Sequence, residues 1–358
     1  RSSSVSIPSF PTNILHRLFL PGCRHLSAKD GILHLPLKGG EKLRWTVGGL
    51  DPVKRQDSYS GEGKHISNEG LRRGAAVLRL GVLLTMIRME HTLFSLPFAY
   101  TGAFLAAGGF PGWDKLLWIT VAMVGAHGGA MAWNRLADAG YDAVNPRTRE
   151  WALPQGQIEP AEVIVFALGN FLLLVYAAYR LEPICFYLAP AAVFFLVSYS
   201  YTKRFTSLCH FFLGGTLGLG PVGAWLAVTG RVELAPAILW AAVTLWVGGF
   251  DIFYQAADVE VDRRLGLHSI PVRLGVGRSL LVGVGCHVAT LFLLVLLGRF
   301  AGLGPLYLLG LAFLLLLFVW EVALLKGHRP ERLGAAFNVN LAAGVLVFAF
   351  TLLDVLTI

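Results

Sequence analysis

Asn134-Arg-Leu-Ala-Asp138-Ala-Gly-Tyr-Asp142 closes one long apolar run of this chain, and Asp251-Ile-Phe-Tyr-Gln-Ala-Ala-Asp258-Val-Glu-Val-Asp262-Arg263-Arg264 closes another. Residues four apart share a helix face, so Asn134, Asp138 and Asp142 form one polar stripe. Asp251, Asp258 and Asp262 form a second, because their spacings are close to whole helical turns. A carboxylate at the centre of a membrane costs about 2.5–3.5 kcal/mol on insertion scales. Two such stripes at the ends of membrane-length runs therefore need a neutralising partner. The natural partner is a divalent cation shared with a polyanionic substrate.

Composition supports the membrane reading. The chain has 358 residues, 55% of them hydrophobic and only 15% charged, with a mean hydropathy of +0.61. Soluble domains carry about 25% charged residues. The formal charge of +8 reads as basic loops on one side of a bilayer, not as a nucleic-acid surface. Cys23, Cys185, Cys209 and Cys286 have no short metal or redox spacing, and they are assigned no function.

Residues 1–70 stand apart. They are rich in Ser, Gly and Pro with scattered charge and lack a sustained apolar period, which predicts a disordered or processed extension. Their acid-poor, Arg-containing start also leaves a transit peptide open. The domain proper is expected over 71–358, as an all-α bundle of about nine membrane-spanning helices. The expected spans are about 84–107, 114–136, 160–179, 182–201, 208–229, 234–257, 276–298, 303–325 and 334–356, each near the length that crosses a bilayer.

Loop charge orients the bundle. Arg147 and Arg149, Lys203 and Arg204, Arg263, Arg264, Arg273 and Arg278, and Lys326, Arg329 and Arg332 all follow even-numbered spans. That side is cytoplasmic, or the matrix side in an organelle. Both acidic stripes fall on it. A bacterial cytoplasmic membrane is the expected location, and an organelle inner membrane if residues 1–70 are a transit peptide. The stripes lie 258 − 138 = 120 residues apart, and each is followed by a basic loop and a Leu-Pro or Ile-Pro pair, which hints at duplication.

Mg²⁺ prefers oxygen ligands and binds through one or two carboxylates plus substrate phosphates. Facing stripes supply Asn134, Asp138, Asp142, Asp258 and Asp262 as candidate ligands, with Asp251 on the same face. Arg147, Lys203, Arg204 and Arg263 are the bases placed to share the charge of a departing diphosphate. Phe94, Phe98, Trp133, Tyr199, Tyr201, Phe253 and Tyr254 offer aromatic faces that favour a carbocation. The fitting substrate is a lipid-tailed diphosphate. His91, His127, His210 and His268 share no ligand spacing and are read as structural.

These residues resemble the UbiA superfamily of intramembrane aromatic prenyltransferases. Its first signature resembles N-x-x-x-D-x-x-x-D, matched by Asn134, Asp138 and Asp142, and its second D-x-x-x-D, matched by Asp258 and Asp262. Arg88-Met-Glu-His-Thr, Asn145-Pro-Arg-Thr148, Tyr199-Ser-Tyr-Thr-Lys-Arg-Phe-Thr206 and His268-Ser-Ile-Pro-Val-Arg273 are similar as well. The likeness spans about 75–356 and is strongest to the bacterial 4-hydroxybenzoate polyprenyltransferase branch, which includes members assigned to menaquinone formation by the futalosine route. It implies Mg²⁺ dependence and transfer of a polyprenyl group from its diphosphate to an aromatic acid in quinone biosynthesis. It further implies Asp138, Asp142, Asp258, Asp262 and Lys203 as catalytic groups, and Arg88, in the first helix, as the holder of the aromatic carboxylate. Two other classes remain to be tested against the structure. A cation-coupled transporter predicts acids near mid-helix and broken helices. A phosphatidyl-alcohol transferase predicts a longer single acidic motif with Gly and Arg inside it.

Overall fold

The computed structural model describes residues 32–36, 42–46, 79–88, 92–325 and 333–357. Residues Ile32–Pro36 (β1) and Lys42–Thr46 (β2) form a two-stranded antiparallel ladder, with Ile32 opposite Thr46 and Pro36 opposite Lys42. The rest of the expected extension lies outside the described residues.

The membrane domain is helical. A short helix over 79–86 (α1) is followed by Thr92–Ala107 (α2), Trp113–Asp142 (α3), Pro160–Tyr179 (α4), Pro183–Thr202 (α5) and Cys209–Thr229 (α6). Then come Leu234–Gln255 (α7), a 3₁₀ turn over Ala256–Asp258, and the short helices Val259–Leu265 (α8) and Ile270–Leu274 (α9). Val276–Phe300 (α10), Pro305–Leu325 (α11) and Leu333–Thr357 (α12) complete the chain. Neighbours pack in a closed circuit: α2 on α3, α3 on α4, then α5, α6, α7, α10, α11 and α12, which returns to α2, while α2 also packs across the circuit on α6.

Eight helices among the described residues are long and apolar enough to span a bilayer, and they match the expected spans to within a few residues except where polar ends extend them. The first expected span differs. It is split into α1 and the 16-residue α2. The break falls at Arg88, which sits in the left-handed region at φ 48° and closes the turn by donating its N–H to Thr85 O at 3.1 Å. A left-handed residue ends a helix, and hydropathy averaging does not see it. Arg88 therefore lies at a helix terminus, exposed, and not within a helix.

Local sequence sets the helix ends. Pro160 occupies the first turn of α4, where its missing N–H costs nothing, and Glu159 and Glu162 form a capping box. Gly230 and Gly266 end α6 and α8 in the left-handed conformation. Without a hydrophobic drive between helices in lipid, association rests on close packing and interhelical hydrogen bonds. Phe98 meets Trp246 edge-on at 5.1 Å, and Trp246 meets Phe318 at 5.3 Å. Trp246 Nε1 donates to Asn340 Oδ1 at 2.9 Å, and Asn340 Nδ2 donates to Glu321 Oε1 at 2.6 Å, so α7, α11 and α12 share one buried polar link. Leu172, Phe194, Phe292 and Leu316 point outward, which suits lipid and not water.

Small residues let the backbones approach. A Cβ on Gly102 would lie 2.3 Å from Pro221 O, and one on Gly214 would lie 2.3 Å from Thr244 O. Both obstacles are backbone atoms that cannot swing aside. Gly102→Ala should therefore lower the melting temperature of the detergent-solubilised protein, by an overpacking cost on the order of 1–3 kcal/mol. Gly285→Ala, where a Cβ meets nothing within 4 Å, should leave it unchanged.

Candidate active site

The charged site is built at the basic ends of three helices. The last three turns of α3 carry Asn134, Asp138 and Asp142. The C-cap of α5 is Lys203, with Arg204 next to it. The end of α7, the 3₁₀ turn and α8 carry Tyr254, Gln255, Asp258 and Asp262. The loop after α3 supplies Asn145, Arg147 and Thr148.

Asp138 is buried and heavily partnered. Lys203 Nζ donates to its Oδ2 at 2.6 Å, Asn134 Nδ2 to the same oxygen at 3.2 Å, and the Arg204 guanidinium lies 3.8 Å from Oδ1. Arg204 also donates to Ala137 O at 2.6 Å and stacks near the Tyr201 and Tyr141 rings, at 4.7 and 5.4 Å. Asp258 receives both sides of the Arg147 fork, Nε to Oδ1 at 3.2 Å and an Nη to Oδ2 at 2.6 Å. Asn145 Nδ2 adds a third donor at 3.3 Å. Arg147 further reaches the Tyr254 hydroxyl at 3.4 Å. Asp262 accepts from Gln255 Nε2 at 2.6 Å.

The two stripes share one chamber. The charges of Asp138 and Asp142 from the first stripe, and of Asp262 from the second, all act on the Lys203 ammonium. Burial alone lowers the Lys203 value. Asp138, by charge and hydrogen bond, outweighs that and raises it, with Asp142 and Asp262 adding to the effect. Arg147 behaves alike: burial lowers it, and the hydrogen bond and charge of Asp258 carry it above its ordinary value. Both remain cations.

Several expected residues land elsewhere. Asp251, on α7 before the 3₁₀ turn that carries Asp258, pairs with His210 at 2.7 Å. Arg263 is exposed on α8 beside buried Asp262. Arg88 sits at the end of α1, within electrostatic range of Arg135 on α3. Tyr201 accepts from Trp133 Nε1 at 3.2 Å. Phe98 and Phe253 belong to packed cores. Asn145 and Gln255 were missed as partners of the acids, as was Arg135, which stacks on Trp151 at 3.6 Å. Nothing in their spacing singles them out.

Beneath the charges lies an apolar cavity of about 510 Å³. On α3 it runs from Met131 to Ile119, and on α5 from Tyr199 to Cys185. Its mouth is thus one turn below Asn134 and Lys203. At 1.5 Å per residue it extends about 20 Å along α5. Phe94, Phe195, Phe250 and Phe337 contribute rings to its wall.

Asp138 Oδ1 and Asp142 Oδ2 are buried with no hydrogen-bond partner among the described residues. Such orphaned acceptors cost about 1–3 kcal/mol each and are relieved by a ligand that takes electron pairs. Hard carboxylate oxygens suit Mg²⁺ in kind. Among the described residues no three acids already converge as a ligand set; Lys203 and Arg147 hold the positive charge between them.

The comparisons agree with this architecture. The model of the UbiA prenyltransferase family matches residues 95–348. A protein of Nitrosospira multiformis named 4-hydroxybenzoate octaprenyltransferase is 32% identical over 256 residues, covering 71% of this chain and 88% of its own. One of the same name from Aeromonas salmonicida is 30% identical, covering 76% and 91%. The apo structure of a UbiA homolog from Aeropyrum pernix superposes with a TM-score of 0.69 at 32% identity, over 75% of this chain and 98% of that one. A UbiA homolog from Archaeoglobus fulgidus, solved with DMAPP and Mg²⁺, superposes at 0.55 with 18% identity over 75% and 99%, a likeness of fold alone. The chain belongs to the UbiA prenyltransferase family. It is an integral, multi-pass membrane enzyme, and the transporter and phosphatidyl-alcohol transferase readings fall away.

Lys203→Met strands Asp138 without its closest cation. Its melting temperature should fall by more than that of Arg263→Ala, which removes an exposed charge. Because the folded Lys203 value is raised, its contribution is complete below the ordinary lysine value of about 10.4 and is lost as pH rises through the folded one. The gap between wild type and Lys203→Met should hold from neutral pH to mild alkali and close only above about pH 10.4.

Proposed function

We propose that this enzyme transfers a polyprenyl group from an allylic polyprenyl diphosphate to 4-hydroxybenzoate or a related aromatic acid, releasing diphosphate, at the basic face of a bacterial cytoplasmic membrane or the matrix face of an organelle membrane. The product has the make-up of a quinone precursor. One observation carries the reading: a cluster of paired acids and bases lies one helical turn from the end of a long apolar cavity. A diphosphate with a lipid tail has that same division of polarity. The names of the 30–32% identical relatives support the aromatic acceptor.

Asp138, Asp142, Asp258 and Asp262, with Asn134, are the residues to hold Mg²⁺. When bound, the metal supplies positive charge to phosphate oxygens, as a Lewis acid does. Arg147, Lys203 and Arg204 then turn from the carboxylates toward the diphosphate, with the exposed Arg263 at the entrance. Their charge-assisted hydrogen bonds strengthen as negative charge gathers on the leaving group. The tail lies along α3 and α5 in the cavity. Tyr199, Phe94 and Phe250 face the allylic end and favour its developing positive charge. Tyr254 and Tyr201 orient Arg147 and Arg204. Arg88 holds the acceptor carboxylate from the edge of the chamber. Residues 1–70 lie outside the catalytic domain.

The defining test is purified protein with Mg²⁺, a series of prenyl diphosphates and several aromatic acids, with prenylated product measured by mass. Asp138→Ala and Asp258→Ala should each abolish turnover while leaving the protein inserted in the membrane; near-normal transfer by either at saturating Mg²⁺ would refute the shared-metal site.

Arg88→Lys should raise the KM for the aromatic acid and leave that for the prenyl diphosphate nearly unchanged, since Lys cannot reproduce the parallel donors of a guanidinium. An acceptor lacking the carboxylate should be a poor substrate for the wild type and lose little more in the variant. Equal weakening toward both substrates would place Arg88 elsewhere.

A further inference from the structure

His210 and Asp251 form a dyad that the diphosphate chamber does not use. His210, at the start of α6, is 1% exposed, while the Asp251 side chain on α7 is 21% exposed. The backbone N–H of Ile270 donates to His210 Nε2 at 3.2 Å. That ring nitrogen is therefore an acceptor and carries no proton. The ring proton must sit on Nδ1, which lies 2.7 Å from Asp251 Oδ2, so His210 is a neutral donor of fixed tautomer. The adjacent Cys209 thiol points to His268 O at 3.4 Å.

One oxygen of Asp251 is thus committed and the other is open. No hydrogen bond to Oδ1 forms among the described residues, and it is not a buried orphan like Asp138 Oδ1. Its level in the site is informative. On α7, Val247 and Phe250 line the apolar cavity, while Tyr254 and Asp258 contact Arg147. Asp251 lies between these two groups, within electrostatic range of Tyr199 on α5. The allylic carbon of a bound substrate must also lie between its diphosphate and its tail. A carboxylate oxygen open at that level stands where the aromatic ring has to meet the allylic end.

We propose that Asp251 is the proton acceptor of the transfer and that His210 is its positioning residue. The inference rests on the function proposed above. The allylic C–O bond breaks and its electron pair leaves with diphosphate. The ring carbon next to the phenol hydroxyl then forms a C–C bond to the allylic carbon. That ring carbon next loses its proton to Asp251 Oδ1, and the C–H electron pair restores aromaticity. The carboxylic acid returns its proton to water at the basic face.

Asp251→Asn tests this closely. It is isosteric, its amide oxygen can still accept from His210, and it presents an N–H donor where the open acceptor was. Wild type, Asp251→Asn, His210→Leu and His210→Asn are assayed with Mg²⁺, a prenyl diphosphate, and 4-hydroxybenzoate with hydrogen or deuterium at the carbons beside the hydroxyl. For the wild type the isotope effect on kcat should be near unity. For Asp251→Asn, kcat should fall on the order of 100-fold or more, with both KM values holding and a primary isotope effect appearing. His210→Leu should shift the same way, and His210→Asn, whose amide can donate in place of Nδ1–H, should recover part of the loss. If Asp251→Asn melts below the wild type, Asp251→Glu against Asp251→Gln decides, because only the carboxylate should keep the isotope effect small. An Asp251→Asn enzyme with wild-type kcat, or a slow one without an isotope effect, overturns the proposal. A wild type that makes no prenylated acid fails at the earlier step and overturns the function itself.

Discussion

Burying carboxylates at the edge of a bilayer is the constraint on which this structure turns. Asp138, Asp258 and Asp262 are each nearly inaccessible, and a lone buried charge is far too costly to keep. The chain answers with bases from distant parts of the sequence. Lys203 comes from the end of α5 and Arg147 from the loop after α3, and each closes on one acid. The pairing of base with helix-end acid ties the ends of α3 and α5 and the turn after α7 together. Removing either base is expected to matter because its acid stays buried.

The same pairing makes the site poised instead of inert. Lys203 and Arg147 now neutralise carboxylates, yet a diphosphate with its metal would satisfy acids and bases at once. Asp138 Oδ1 and Asp142 Oδ2 already lack hydrogen-bond partners among the described residues. Directly below, the wall of the cavity changes to Ala, Leu, Phe and Gly, where a charged group would be destabilised and a hydrocarbon chain would not. Along α7, Asp251 lies between the residues of the two environments.

A second buried polar group lies apart from this chamber. Glu321, Asn340 and Trp246 hydrogen-bond across α11, α12 and α7, and His287 stacks on Phe318 at 3.9 Å beside them. Such groups bind helices together where apolar contacts cannot discriminate one helix from another. Asp354 works similarly at the other end of α12, accepting from the N–H groups of Gly304 and Tyr307 at the start of α11.

By itself the sequence determined the helix count to within one element and the placement of acidic residues at the ends of α3 and α8. Each of these depends on a local property: the length of an apolar run or a spacing within one helix. Tertiary structure decided the rest. Arg88 leaves the helix because a single residue adopts a left-handed conformation, a choice hydropathy does not encode. Asp251 reads from its spacing as the third member of a stripe, yet its hydrogen bond goes elsewhere. Its real partner, His210, lies 41 residues away on another helix. Asn145 became a partner of Asp258, and Ala130, Leu213 and Gly223 became walls of one cavity, only because segments far apart in the chain pack side by side. Spacing along one helix is a short-range quantity, whereas pairing and enclosure need the contacts that folding alone supplies.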